Sequence, residues 1–568
     1  MGRPSKIKPV SVGPSRRGFF KATGTAALAL GSLHGASFGA QTSVFQHGVA
    51  SGDPLSDRVI LWTRVTPPEP IESVTVSYVV ATDPGLKNVV KTGSTKTYPG
   101  RDFTVKVDRT GLKPGTTYYY RFSALDQSSP IGRTKTLPVG SVASLRFAVV
   151  SCSNHAYGYF NVYARLAERA DLDLVMHLGD YIYEYGEGQY GTARTPSPAN
   201  EIVSLSDYRL RHAQYKADVD SQAMHRQHPL VAIWDDHETA NNAWKGGAEN
   251  HTPGTEGDWK TRVANALQAY YEWMPVRVVD ADNLRKNNRA FSFGNLAELI
   301  MLEERVSARS EQVTTLTHAT VFGAGFATSD PGFSDPTRSL LGAAQESWLT
   351  TRLRTSPAKW KLLGQGVMFA QLKAPSSNQA ADPGLFYINS DQWDGYEPAR
   401  NRVYDVLAGD ASNAAVNNVA LLTGDIHSSW ASDLSPNPYN PNPATGGYYA
   451  ATGEGSRAVE FVGPSVSSPG IDTDTTGQIA GALRYYNPHF KYIDLTRRGY
   501  MLLDVNAQRM VSEWWYVDTA LSPSSVQTFG TAFQVIDGSN RLTPGAKTPD
   551  RDNPPPLAPD RLPGNPPR

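Results

Sequence analysis

Four apolar runs, far apart in the chain, each stop at a side chain that can bind a metal. "LRFAVVSCSN" stops at Cys152 and "DLVMHLGDYIYEYG" at Asp180; "PLVAIWDDHE" stops at Asp235 and Asp236, and "NVALLTGDIHSSW" at Asp425 with His427 two residues on. Short runs of this kind read as buried strands. In open α/β sheets, functional groups collect beyond the carboxyl ends of the strands. The chain is therefore expected to fold so that these ends meet at one rim. Each piece alone has an ordinary reading. Cys152 suits a small buried hydrophobe, Gly179-Asp180 a turn, Asp425-Ile426-His427 a turn with a hydrogen-bonded histidine, and Tyr183 a core aromatic. "WDDHE" is harder to read that way. Adjacent carboxylates behind an apolar run repel each other and lose hydration, which cations seated among them would offset.

The texture around these runs indicates the architecture. At 568 residues the chain exceeds one core. Between residues 144 and 522, apolar strands alternate with helical stretches at 161–170, 260–272 and 344–354, with further strands at 360–370 and 458–465. That is the signature of an α/β layered domain. Residues 43–140 differ: "RVILWTRV", "SVTVSYVV", "FTVKVD" and "TTYYYRFSA" are short strands punctuated by turns. They predict a small all-β domain of fibronectin or immunoglobulin kind, and "L-x-P-x-T-x-Y-x-Y" from Leu112 to Tyr120 looks like the former. Its expected role is a scaffold packed on the next domain. Residues 523–568 are expected to form a proline-rich tail, disordered or loosely draped.

Charge and the amino terminus narrow the function classes. Lys+Arg and Asp+Glu are equal at 54 each, which leaves no polybasic field for a nucleic-acid backbone. With one cysteine, Cys152, no intrachain disulfide can form. In "SRRGFFKATGTAALALG", Arg16 and Arg17 precede Phe19, Phe20, Lys21 and a mildly apolar run. A spanning helix needs roughly 20 strongly apolar residues, so this run is read as a twin-arginine signal peptide over residues 1–40, with cleavage between Ala36 and Gln41. The expectation is a periplasmic or secreted protein that engages the twin-arginine translocation machinery and has no transmembrane segment in its mature chain.

In order, "GDYIYEYG", "WDDHE" and "GDIH" resemble the GDxxY, GN(D)H(E) and GHxH blocks of dinuclear metallophosphoesterases. The chain is similar to the PhoD-type alkaline phosphatases from about Ser43 to Tyr516. "FQHGVASGDPLSDRVILWTRV", "DQWDGYEPAR", "VEFVGPSVSSPG" and "YYNPHFKYIDLTRRGYMLLDV" look like further blocks of that family. One block departs: a Leu-Asp-Thr-Arg element is replaced by Leu302-Glu303-Glu304-Arg305, so no phosphate-binding role is carried over to Arg305.

The resemblance implies a metallophosphoesterase layered β-sandwich flanked by helices. It also implies hydrolysis of phosphate monoesters, and of diesters as an extension, by a metal-bound hydroxide. Cys152, Asp180, Tyr183 and His427 would hold one metal; thiolate, phenolate, carboxylate and imidazole suit Fe(III). Asp180 would bridge to an oxygen-rich second site with Asp236 and Asp425, expected to take Ca, with Mn or Mg as alternatives. Asp235 is either a weaker ligand or a partner behind the ligands, and Asn241 and Asn242 are candidates to complete the oxygen shell. His237, beside Asp236, is the candidate to orient phosphate and protonate the leaving oxygen, its ring oriented by Glu238 or Asp235. Expected partners are small-molecule phosphate esters and, in a rival reading, phospholipid or polymer phosphodiesters cleaved by a phosphodiesterase or phospholipase D-like enzyme. A second rival is a secreted binding protein with structural metals, for which a histidine like His237 beside the ligands would have no task.

Overall fold

Apolar residues alternate between two faces along the central strands, and that alternation builds the layers. In Ser144–Val150, Phe147 and Val149 point into one core while Ala148 and Val150 point into another. Leu299 and Met301 likewise oppose Ile300 in Ala297–Met301. Strands buried on both faces need a layer on each. The computed structural model, which describes residues 43–560, supplies them as two stacked sheets with helices outside.

The first sheet has ten strands and the second seven. In the first, Ser144–Val150, Leu174–His177 and Pro229–Ala232 run parallel and adjacent. In the second, Ala297–Met301, Trp360–Gln365, Val419–Thr423 and Ala458–Val462 run parallel. Met176, Leu362, Leu422, Phe461, Met501 and Trp514 fill the space between the sheets. The helices Asn161–Ala167, Leu205–Ala217, Val219–Gln227 and Trp259–Trp273 cover the first sheet. Gly342–Thr355, Glu397–Ala408 and Gln478–Tyr486 cover the second. All the parallel carboxyl ends open toward one rim. No helix among the described residues is long and apolar enough to cross a membrane.

Two expectations about how these segments fold change. The sandwich over residues 43–140 has no closed pair of sheets of its own. Its five-stranded sheet, including Val74–Ala81 and Thr117–Ala124, packs on Arg58–Arg64 and Thr104–Thr110, and these belong to the ten-stranded sheet. Val49–Gly52 joins them to the centre by pairing parallel with Pro229–Ala232. The tyrosine in the "LKPGTTYYY" stretch forms a corner, Tyr118 Oη accepting from the Lys113 N–H at 2.8 Å. The expected loose tail is also corrected over its described part. Gln527–Ile536 pairs with Arg509–Val517, and Leu542–Pro544 pairs with Gln527–Ile536. Beyond them the Thr548 N–H donates to buried Glu513, Arg146 reaches Thr548 Oγ1 at 3.1 Å, and the Ala558 N–H donates to Gln227. The chain there lies at the amino ends of the parallel strands, opposite the rim. The rest of the tail and the signal segment lie outside the described residues.

Candidate metal centre

The strands stop earlier than the apolar runs do. They end at Val150, His177, Ala232 and Thr423, so the candidate ligands sit in the loops just beyond. Those loops turn sharply. Cys152, Asp180, Asn242, Asp425 and His427 all have φ between 52 and 61°, the left-handed region that side chains with a Cβ avoid. Such conformations cost about 1–3 kcal/mol each and persist where surrounding structure enforces them. Here hydrogen bonds do so: the Cys152 N–H donates to the Gly179 carbonyl, and the Ser153 N–H to the Asp180 carbonyl. Gly179 (φ +106°) has no room for a Cβ, which would lie 2.4 Å from the Asp235 Cβ; this fixes a close crossing of two site loops.

Every sequence-predicted ligand reaches one cluster. Ligand atoms of Cys152, Asp180 and His427 lie within 4.8 Å of one another, as do those of Asp235, Asp236 and Asp425. Tyr183 joins the first group, its hydroxyl 3.0 Å from Asp180 Oδ2 and 3.1 Å from His427 Nε2. Ser468 Oγ stands 2.6 Å from that phenol oxygen. His427 Nδ1 lies 2.9 Å from the Pro469 carbonyl, which can only accept; a proton on Nδ1 leaves Nε2 with the lone pair a metal needs. Asp180 links the two groups, because it also lies with Asp236 and His237 within 4.8 Å.

The electrostatics fit cations at these positions. Burial, with neighbouring carboxylates adding to it, pushes Asp180 well above the carboxylate range. Burial does the same to the Cys152 thiol and the Tyr183 phenol, and the Asp180 charge adds to both. Asp180 Oδ1 is buried with no hydrogen-bond partner among the described residues. Positive charge here would hold all three as anions and give that oxygen a partner.

His237 is wholly buried and its Nδ1 lies 2.6 Å from Glu184 Oε2. The ring stacks on Tyr183 at 4.2 Å, with Tyr185 at 5.4 Å and Tyr190 at 6.3 Å. Burial alone would lower its pKa, but Asp236, Glu184 and Asp180 outweigh that and raise it to about 10. The orienting carboxylate is therefore Glu184, neither Glu238 nor Asp235. Glu184 Oε1 also receives the Asn241 N–H and the Asn250 side chain. The signal was present in "YIYEYG": an acid one residue past Tyr183, on the same turn as the ligands.

The remaining acids have structural tasks. Glu238 receives the N–H groups of Asp180, Tyr181 and Asp235, fastening one site loop to another. Asp235 is forked by Arg305, which is itself fully buried and also holds Asp391 at 2.8 Å. The guanidinium lies 3.6 Å from Asp425 and 3.9 Å from Asp236, so it neutralises part of the acidic cluster from behind. The unusual "LEER" element supports it. Glu303 receives the N–H groups of Arg305, Val306 and Ser307, while Glu304 receives those of Gly366 and Val367. Asn242 contributes its N–H to Asp236 Oδ2 at 2.6 Å, and Asn241 Oδ1 is buried without a hydrogen-bond partner among the described residues.

A two-sheet α/β sandwich with thiol, phenol, imidazole and carboxylates converging beyond its parallel strand ends defines a metal-centred hydrolase class. Residues 147–514 match the family model of PhoD-like phosphatases, and residues 32–138 match the model of their N-terminal domain. Alkaline phosphatase D of Bacillus subtilis (strain 168) is 35% identical over 542 residues, covering 91% of this chain and 87% of that protein. A solved structure of PhoD superposes with a TM-score of 0.78 at 34% identity, covering 90% of this chain and 94% of that one. The chain belongs to the PhoD-like phosphatase family and is, with it, a phosphoric ester hydrolase.

Proposed function

We propose that the protein hydrolyses phosphate monoesters at a pair of cations. Cys152, Asp180, Tyr183 and His427 would hold Fe(III), and Asp180, Asp236 and Asp425 would hold Ca(II). The donor chemistry supports this division, since the first set contains thiol and phenol while the second is all carboxylate. Bound there, the cations supply charge neutralisation for the phosphoryl oxygens and acidify water. The chain's own residues do the rest. Glu184 fixes the His237 ring and, together with Asp236 and Asp180, raises its pKa. With Nδ1 committed to Glu184, Nε2 is the nitrogen that would give a proton to the leaving oxygen. Tyr183, Tyr185 and Tyr190 wall the ring and exclude water from it. Arg305 limits repulsion among Asp235, Asp236 and Asp425 without facing solvent.

The observation that carries this reading is the buried His237–Glu184 pair set against Asp180 and Asp236. A purely structural metal site has no use for a second, protonated histidine. Metal analysis of purified protein, paired with turnover of p-nitrophenyl phosphate and its bis-ester, tests it. Iron and calcium with faster monoester turnover are expected; a metal-free active protein, or one that cleaves only the bis-ester, overturns it. We also propose export by the twin-arginine route, supported by Arg16 and Arg17 ahead of the apolar run. Replacing both by Lys should keep the protein in the cytoplasm, and unchanged export would refute the assignment.

A further inference from the structure

Away from the metal centre, the flank of the sandwich is open. The edge strand of one sheet, Phe490–Asp494, and the edge strand of the other, Leu542–Pro544, leave a groove of about 1100 Å³ between them and the helix Gln478–Tyr486. Arg484, Lys491 and Arg541 line it, and no acidic side chain does. Two of these cations are fixed from below. Lys491 Nζ donates to the Ala450 carbonyl at 3.1 Å and lies 5.3 Å over the Tyr448 ring. Arg541 donates to the Thr452 carbonyl at 2.6 Å. Its stem passes over Gly453 (φ +74°), where a Cβ would come within 3.0 Å of the Arg541 Cδ. Asp433, beneath the groove, lies 3.5 Å from Lys491 and also accepts from Tyr448 Oη, so it offsets only that lysine. Arg484 makes no ion pair among the described residues.

The groove also carries an aromatic face. Tyr485 is 80% exposed, unusual for a large ring, and stands edge-on to Tyr486 at 5.1 Å. Phe490 and Phe533 line the wall beyond it. Unpaired guanidinium suits phosphate oxygens, an exposed ring suits stacking with a flat partner, and the open groove has room for a small molecule. We propose that this groove binds a phosphorylated compound carrying an aromatic ring, of the nucleotide class, at a site separate from the metal centre.

The test uses the metal-loaded full chain and the adenosine analogue whose 5′ ester oxygen is replaced by carbon, so that its C–P bond resists hydrolysis. Calorimetry should resolve two sites in the wild type. Arg484→Glu and Tyr485→Ala alter exposed positions, so the fold is retained. Each should weaken one site at least about tenfold, the scale of a charge-assisted or stacking contact, and leave kcat/KM for p-nitrophenyl phosphate unchanged. Methylphosphonate, which lacks the ring, should bind the groove at least about tenfold more weakly than the analogue. Isotherms of both variants identical to wild type would overturn the proposal, as would equal affinity for methylphosphonate. Absence of monoester turnover by the metal-loaded wild type, with the groove still binding the analogue, would count instead against the metal-centre reading.

Discussion

His237 and Glu184 are the residues on which the proposed chemistry turns. His237→Ala should retain both metals and lose at least about a hundredfold in rate, the usual contribution of a positioned acid; metal analysis beside steady-state kinetics checks both halves. Glu184→Gln keeps a hydrogen-bonding side chain at the Nδ1 side but removes a negative charge that helps raise the imidazole pKa. His237 is active as an acid only while protonated, so activity falls as pH passes through its pKa. Removing the charge lowers that pKa, and the alkaline limb of the pH–rate profile should move down by about one unit or more. A profile of unchanged shape would mean that Glu184 only fills space. The convergence of Cys152, Asp180, Asp235, Asp236, Asp425 and His427 was legible in the sequence because residue types that can bind metal followed apolar runs. The Glu184–His237 pair was not, because the two meet only after folding, and Glu238, next to His237 in the chain, instead spends its oxygens on backbone N–H groups.

Among the elements, the lock between the amino-terminal strands and the second sheet decides how rigidly the site is held. Asp53 has no solvent exposure and receives Arg289 through two bonds of 2.9 Å. Arg289, on the edge strand Arg289–Phe293, also reaches the carbonyl of Ala232, where the strand leading to Asp235 and Asp236 ends. The "SGDP" stretch is thus a clasp joining three separate segments. Arg289→Ala would leave the buried Asp53 carboxylate with the Arg277 N–H at 2.6 Å but without its ion-pair partner, a loss of about 3–5 kcal/mol, read as a lower urea midpoint with an unchanged slope. Arg289→Ala of wild-type stability would show that the clasp is dispensable. Such clasps explain what the sequence left hidden. Pairing of Ser51 with Pro229 is invisible to local periodicity, so the amino-terminal strands read as a separate sandwich packed on the next domain. The strand Gln527–Ile536 was masked by the prolines around it, since composition there argues for loose chain while the pairing comes from the neighbouring strand Arg509–Val517.

Across the whole molecule, the buried bases make one contribution to how stability follows pH. His177, His212 and His228 are wholly or almost wholly buried, and burial first, then nearby cations, lowers each from 6.5 to about 3. His47 and His155 are lowered to about 3 by the same causes. Lys216 is pushed well below the usual amine range by burial and lies 2.6 Å from His225, with no carboxylate paired to it among the described residues. In every case the unfolded chain binds a proton that the folded chain refuses. Stability contributed by a neutral histidine is therefore full above about 6.5 and is lost as pH falls toward 3; for Lys216 the same sign holds up to the unfolded amine's range near 10. Each of these bases by itself favours alkaline solution, while burial raises Glu238, Glu304 and Glu460 to about 8, 7 and 6 and makes them act in the opposite sense. His212 isolates the effect: neither ring nitrogen has a hydrogen-bond partner among the described residues, and the ring stacks on Tyr181 at 6.3 Å. His212→Phe keeps a flat ring and removes the titration. Its stability should match wild type at pH 8 and exceed it at pH 5. Over that window the dependence should flatten by up to about 1.4 kcal/mol per pH unit, the slope of one proton. Urea unfolding at pH 5, 6, 7 and 8 measures it, and parallel curves for the two proteins would mean that His212 accepts its proton within the folded core.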